Sequence, residues 1–324
     1  MKILNNRLVT ACLLAFGAVS AMAQSWPPAT VRIVVPYPPG TEPDVLARDL
    51  GNALGKQTGK AFVVDNRPGA NSIVGTEVVT KGEADGSTLL MVDRLALVTN
   101  PALYAKMPYQ WESALKPVSD LAGVNLFVGV REGLPVKNFA EFLQYAKTTP
   151  VGVNVGTGGN GHVNHIGMEM LKQAHGLNFS YVPYRGVAPA VLGLLSGEVD
   201  AVMAGGMVMQ SHVKSGKIRL LAMGDSQRAM YLPDVPTLAE AGGKPGTIPS
   251  TVFALFAPSR VPDAVVSQIN QAVAKVMESP QVRGTYAVRG MDVATTTPQQ
   301  TLAAMKKDAV RYGKIIREAG IKLE

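Results

Sequence analysis

The sequence predicts a two-lobed α/β protein, with mostly parallel sheets flanked by helices. Three observations carry this. Short β-branched runs alternate with helical patterns through almost the whole chain. Two glycine-bearing segments each lead out of such a run into a helix. Past an N-terminal export-like segment, roughly 300 residues remain, a length that favours two lobes over one. The chain's 47% hydrophobic composition can supply an ordinary core.

Lys2 and Arg7 give the N-terminus a positive start. Leu8 to Val19 is apolar apart from Thr10, and Ala21-Met22-Ala23 matches the small-x-small cleavage pattern. Residues 1–23 are therefore expected to be a signal peptide and Gln24 the first mature residue, with a retained anchor as the alternative. The apolar run is too short to span a bilayer. Cys12, the one cysteine, falls inside it. The mature chain thus has no disulfide, no thiolate chemistry and no Cys-ligated zinc. Formal charge is +7 for the full chain. Without Lys2 and Arg7 the balance is 29 basic against 24 acidic residues, a net of +5. No basic run or aromatic-basic interleaving points to nucleic acid. A mild positive field favours an anionic solute.

Strands are expected at 31–35, 61–64, 88–92, 126–130, 151–155, 179–182, 199–203, 218–223 and 252–257. Apolar stripes between them mark helices: Val45, Leu46, Leu50, Ala53 and Leu54; Phe139, Phe142, Leu143 and Ala146; Ile166, Met170, Leu171 and Ala174; and Val191, Leu192, Leu194 and Leu195. Residues 263–278 and 299–319 read as two long C-terminal helices. With no low-complexity linker, the lobes are expected to be joined by crossings near 123–130 and 243–251. That gives lobe 1 as 26–124 plus 250–324 and lobe 2 as 125–249.

The first loop runs Tyr37-Pro-Pro-Gly-Thr-Glu-Pro-Asp44. Its prolines stiffen the exit from a strand and donate no N–H. Gly40 allows close backbone approach, and Asp44 is placed to cap a helix beginning at Val45. It is either an anion site at a helix N-terminus or a proline-rich turn with a good cap. The second, Gly156-Thr-Gly-Gly-Asn-Gly161 followed by His162, matches G-x-G-x-x-G. A dinucleotide site would need an acid about 20 positions on, and Tyr181-Val-Pro-Tyr-Arg185 holds none. A small carboxylate suits these N–H groups better, with a hydroxyl from Thr157 and a ring N–H from His162; tight helix-on-strand packing is the alternative. His162 and His165 share a helix face with Glu169 one turn further on, but no H-E-x-x-H or Cys-His spacing supports a metal. There is no G-x-S-x-G and no serine–histidine–acid set. Tyr184-Arg185-Gly186 lines a cleft or lies solvated on a turn. Asp93-Arg94 follows a strand end, where α/β proteins place ligand contacts, or forms a surface ion pair.

Several segments together resemble a known pattern. They are Ile33-Val-Val-Pro-Tyr-Pro-Pro-Gly40, Val64-Asp-Asn-Arg-Pro-Gly-Ala70, Asp85-Gly-Ser-Thr-Leu-Leu90, Asn100-Pro-Ala-Leu-Tyr104, Val182-Pro-Tyr-Arg-Gly186, Gly216-Lys-Ile-Arg-Leu-Leu-Ala222 and Leu232-Pro-Asp-Val-Pro-Thr237. The chain resembles, over nearly its whole mature length, the Bug or TctC family, the solute receptors of tripartite tricarboxylate transporters. The resemblance implies a two-lobed, type II periplasmic binding protein with no catalytic residue, cofactor or metal. It implies a small organic acid as ligand and TctA/TctB-like membrane components as partners; a monomer is expected. Carried over, the ligand roles fall on Tyr37, Gly40, Thr41, Glu42 and Asp44, and on Gly156, Thr157, Gly158, Gly161 and His162.

The departures from that pattern bear on the ligand. Gly40-Thr41-Glu42-Pro43 replaces a glycine run, Asp93-Arg94-Leu95 replaces small polar residues, and Ala204-Gly205-Gly206-Met207 stands where polar residues are common. The usual aromatic before the next strand stands as Thr251-Val252-Phe253. A glutamate facing the cleft repels a carboxylate and welcomes an ammonium. The expected ligand is a small carboxylate with a second polar or cationic group: the carboxylate at 156–162, the remainder read by Glu42, Asp93 and Arg94, with Tyr184 and Gly205 also lining the cleft. A receptor-like sensor and an exported enzyme are the alternatives.

Overall fold

The computed structural model describes residues 26–323, so the expected signal segment lies outside the described residues. The first run of elements is β1 (Thr30–Val35), α1 (Glu42–Thr58), β2 (Ala61–Asn66), α2 (Ile73–Thr80), β3 (Thr88–Asp93), α3 (Arg94–Leu103), the one-turn α4 (Trp111–Ala114) and β4 (Leu115–Val124). The second is β5 (Leu126–Arg131), α5 (Phe139–Thr148), β6 (Val153–Thr157), α6 (Val163–His175), β7 (Phe179–Pro183), α7 (Val187–Ser196), β8 (Ala201–Gly205), α8 (Gly206–Lys214) and β9 (Ile218–Met223). The chain ends with β10 (Thr251–Pro258), α9 (Asp263–Met277), α10 (Pro280–Ala287), β11 (Met291–Val293) and α11 (Pro298–Ala319). No helix among the described residues is long and apolar enough to cross a membrane.

Burial on both faces of the strands dictates the layering. In β1, Val31, Ile33 and Val35 join one core and Val34 the other, and in β3 Leu89 and Met91 oppose Leu90 and Val92. Such strands need cover on both sides. α1 and α9 supply it on one face through Leu46, Leu50, Leu54, Val265, Ile269 and Val273. α3 and α11 supply it on the other through Leu95, Leu97, Met305 and Ile316. The second sheet repeats the scheme, with Ala201 and Met203 of β8 facing α5 and α6 while Val202 and Ala204 face α7.

The first sheet has the order β11-β4-β10-β3-β1-β2 and the second β7-β6-β8-β5-β9. Both are mixed, which corrects the expectation of mostly parallel sheets. β1 pairs in parallel with β2 and β3, and β6 with β7 and β8. β10 and β5 run antiparallel to both their neighbours. These are the first strands after each crossing. Each enters beside the end of its neighbour, Leu126 opposite Gly205 and Phe253 opposite Asp93. A chain arriving at the edge where the parallel strands finish must run against them.

The strands β4 and β11 are absent from the sequence reading. Pro117, Asp120 and Gly123 make 115–124 look like a turn. The sheet accommodates them with register shifts against β10, one beside Pro117.

Candidate ligand-binding cleft

Six loops that follow strand ends meet around one cavity of about 840 Å³. From the first sheet come the loops after β1, β2 and β3. From the second come those after β6, β7 and β8. Ligands of open α/β sheets bind outside the carboxyl ends of strands, and here two sheets present those ends to one space. Of the residues singled out from sequence, Tyr37, Gly40, Thr41, Glu42, Asp93, Gly158, Gly161, His162 and Gly205 line it. Asp44, Arg94, Gly156, Thr157 and Tyr184 do not.

The loop after β1 is built around Asp44. α1 starts at Glu42, not Val45, with Thr41 at its N-cap. Asp44 Oδ2 instead accepts from the Gly40 N–H at 2.8 Å and from Arg48 Nε at 3.1 Å, and Oδ1 accepts from Asn66 Nδ2 at 2.9 Å. Burial opposes its charge, but Arg48, the Gly40 amide and Asn66 outweigh burial and hold the carboxyl below its usual range. The buried Asp44 thus shapes the loop from behind and consumes the Gly40 donor. Glu42 is the cavity-side edge of this loop and is half-buried. Its carboxyl lines the cavity, has no hydrogen-bond partner among the described residues, and is pushed up in pKa by burial. It reaches across to the second sheet, where Oε1 lies 3.7 Å from the place a Cβ on Gly205 would occupy.

Asp93 and Arg94 part company. Asp93 caps α3, accepting from the Leu95 N–H at 3.0 Å, and Tyr37 Oη accepts from the Asp93 N–H at 3.1 Å. Burial raises the Asp93 pKa to about 7, against the backbone donors of Leu95 and Val252 and the charge of Arg94. Arg94 turns away from the cavity. Its Nη1 donates to Asp308 at 2.7 Å and its Nε lies 3.5 Å from Asp120 Oδ2.

The loop after β2 was not among the residues expected to bind ligand. Ala70, Asn71 and Ser72 have φ of 44°, 47° and 74° and all line the cavity. Left-handed backbone at non-glycine residues costs on the order of 1–3 kcal/mol each and persists only where surroundings enforce it. Buried Asn100 does so: its Nδ2 donates to the Asn71 carbonyl at 2.9 Å, and its Oδ1 accepts from Asn71 Nδ2 at 2.7 Å. The Gly69-Ala-Asn-Ser72 run after a strand was the available signal.

On the second sheet the glycine-rich loop is braced by its own helix. Asn164 Oδ1 accepts from the Gly158 N–H at 3.1 Å, and His165 Nδ1 accepts from the Gly161 N–H at 3.1 Å. These amides, expected to hold a carboxylate, are already engaged. Gly156 and Thr157 lie beneath the loop: a Cβ on Gly156 would stand 3.0 Å from Val199, and Thr157 is fully buried. Tyr184 packs its ring over Gly193 of α7, where any Cβ would collide with its hydroxyl. Burial pushes its pKa up to about 12. Arg185, next to it, does line the cavity and has no ion-pair partner among the described residues. Asn164 Nδ2, in the cavity wall, is buried without an acceptor.

Gly161 joins the lobes. Its φ is +72°, and a Cβ would lie 2.9 Å from Leu103 and 3.1 Å from Leu323, both of which pack with the core of the first sheet. Gly161→Ala is expected to lose about 1–2 kcal/mol from the left-handed backbone alone, read as a lower urea midpoint with an unchanged slope.

Two α/β lobes closing on a cavity at their strand ends define a periplasmic-binding-protein fold. The chain belongs to the TctC family, the tripartite tricarboxylate transporter family receptors, whose model matches residues 46–321. It is 31% identical over 308 residues to protein BugT of Bordetella pertussis, covering 95% of this chain and 94% of BugT. It is similar to an R. palustris protein solved with adipate, at 30% identity and TM-score 0.82, covering 92% of this chain and 100% of that one. It is also similar to MatC of Rhodopseudomonas palustris with bound malate, at 26% identity and TM-score 0.75, covering 89% and 98%. As a family member the protein is a solute-binding receptor.

Proposed function

We propose that this receptor captures a small organic carboxylate in the periplasm and delivers it to the membrane components of a tripartite tricarboxylate transporter. One observation carries the reading: a cavity of about 840 Å³ walled by loops of both lobes, within the range of small-molecule sites. Lobe 1 is taken as 26–124 plus 250–324 and lobe 2 as 125–249. Rotation at Asn125 and in 224–250 opens and closes the cleft. Relatives solved with adipate and malate support a carboxylate as ligand.

The donors left free suggest where that carboxylate sits. Gly158 and Gly161 amides are engaged, so the available groups on lobe 2 are Arg185, Asn164 Nδ2 and the N-terminus of α6. Glu42, facing them without a partner, reads a second group that is cationic or donates hydrogen bonds.

A thermal-shift screen of the mature chain against organic acids, amino acids and their amides tests this. A true ligand at 100 times its Kd adds about 2.7 kcal/mol and raises the melting temperature. No shift with any of them would refute the receptor reading. Glu42→Gly is expected to reduce affinity for cation-bearing solutes about tenfold relative to neutral ones. An unchanged profile removes Glu42 from ligand reading.

A further inference from the structure

His162 lines the cavity at the start of α6, and the bonds around it determine which of its nitrogens carries the proton. Asn164 Oδ1 lies 3.1 Å from the Gly158 nitrogen. A backbone N–H only donates, so the Asn164 atom facing it is the oxygen. The same oxygen lies 3.0 Å from His162 Nδ1. A carbonyl oxygen only accepts, so Nδ1 carries the proton of that contact. The Asn164 N–H also approaches Nδ1, at 3.5 Å, but a protonated Nδ1 has no lone pair to receive it. The neutral ring has one N–H, so Nε2 is a bare acceptor. Burial favours the neutral ring. Nε2 has no partner among the described residues. The ring therefore offers the solute the opposite of the N–H expected from sequence.

Resting on the receptor reading, we propose that His162 is a specificity-determining residue. Its Nε2 accepts a hydrogen bond from an ammonium group on the solute, so that the receptor selects amine-bearing acids over the same acids without the amine. Gly158 and Asn164 are positioning residues that fix the tautomer. Glu42 presents a second acceptor to the same cavity from the other sheet's loops, and among the described residues no cationic side chain of the loops after β1, β2 and β3 lines it. A carboxylate at the same spot would face a lone pair and a glutamate.

The tautomer is read first, without solute, from nitrogen-15 correlations of the imidazole rings of the mature protein, with His162→Phe assigning the signal. A proton on Nδ1 is expected; a proton on Nε2 alone overturns the proposal. Binding is then measured by calorimetry with matched pairs: succinate and aspartate, glutarate and glutamate, adipate and 2-aminoadipate. The amine-bearing member of a binding pair is expected to be favoured about tenfold or more. Asn164→Asp keeps both accepted bonds but stabilises the imidazolium, turning Nε2 into a donor. It should lower that ratio about tenfold, and should leave it unchanged when combined with His162→Phe. Equal affinities within pairs, or a ratio unmoved by Asn164→Asp, overturn the proposal. If no acid of the set binds, the receptor reading falls and this inference with it. That failure is distinct, because the tautomer is measured with no solute present.

Discussion

Arg94→Ala is expected to cost the fold about 3 kcal/mol and to leave the solute affinity of the folded protein unchanged. Arg94 opens α3 and joins it to two other elements, donating to Asp308 of α11 at 2.7 Å and approaching Asp120 of β4 at 3.5 Å. Its side chain is 14% exposed, and Asp120 is 10% exposed, so solvent screens this set far less than a surface pair. Removing the guanidinium leaves two carboxylates close together. Burial already raises the pKa of Asp120, with Arg94 opposing and Asp308 adding to the rise. Without Arg94 the Asp120 carboxyl takes up a proton more readily, which caps the loss near the lower end for a broken buried pair. Arg94→Lys is expected to recover only part of the stability, because one compact ammonium cannot fork to two carboxylates. Urea unfolding gives the stability term and calorimetric titration the affinity. Lower affinity at unchanged stability would return Arg94 to the cleft; unchanged stability would show that the ion set contributes nothing.

That outcome also marks where sequence reading stops. Asp93-Arg94 at a strand end was the expected place for ligand contacts, and the backbone obeys the rule. The side chains then divide according to what packs behind α3. Asp308 lies 214 residues downstream of Arg94, and nothing local to 93–94 signals it. The two glycine loops were legible for the same reason: strand-to-helix turns are local events, governed by Gly40, Gly161 and the apolar periodicity of the following helix. Which amides remain free was not legible. Asp44 in one loop, and Asn164 and His165 in the other, engage the donors from behind, and their reach depends on side-chain geometry. Pro117 shows a third limit. A proline argues against a strand by local preference, yet β4 stands because it pairs with β10 along its length, while β11 reaches it only at 122–124, so the missing donor falls where β4 has a strand on one side only.

The second large effect is expected at Asp93. Asp93→Asn should stabilise the protein above about pH 7 by up to about 4 kcal/mol, with the gain fading as pH falls toward 4. Burial lifts this carboxyl from an ordinary 3.8 to about 7. Between those values the folded protein holds a proton that the unfolded chain has released. Native protein thus binds more protons than unfolded, and stability falls as pH rises through the window. Above about 7 both states are ionised and the penalty is complete. Roughly three pH units, each worth about 1.4 kcal/mol, set the upper bound. Asparagine keeps an oxygen for the Leu95 and Val252 N–H groups, at 3.0 and 3.4 Å in the native protein, so the α3 cap is retained. What it loses is a negative charge in the cavity wall. The ionised Asp93 is costly in the empty protein and favourable beside a solute ammonium, so the same substitution is expected to weaken amine-bearing acids about tenfold at pH 8. Urea midpoints of both proteins across about pH 4–8 give the stability difference. A difference that stays constant with pH would show that Asp93 is ionised throughout. A gain in stability with no loss of affinity would assign the acidic character of the cleft to Glu42 alone.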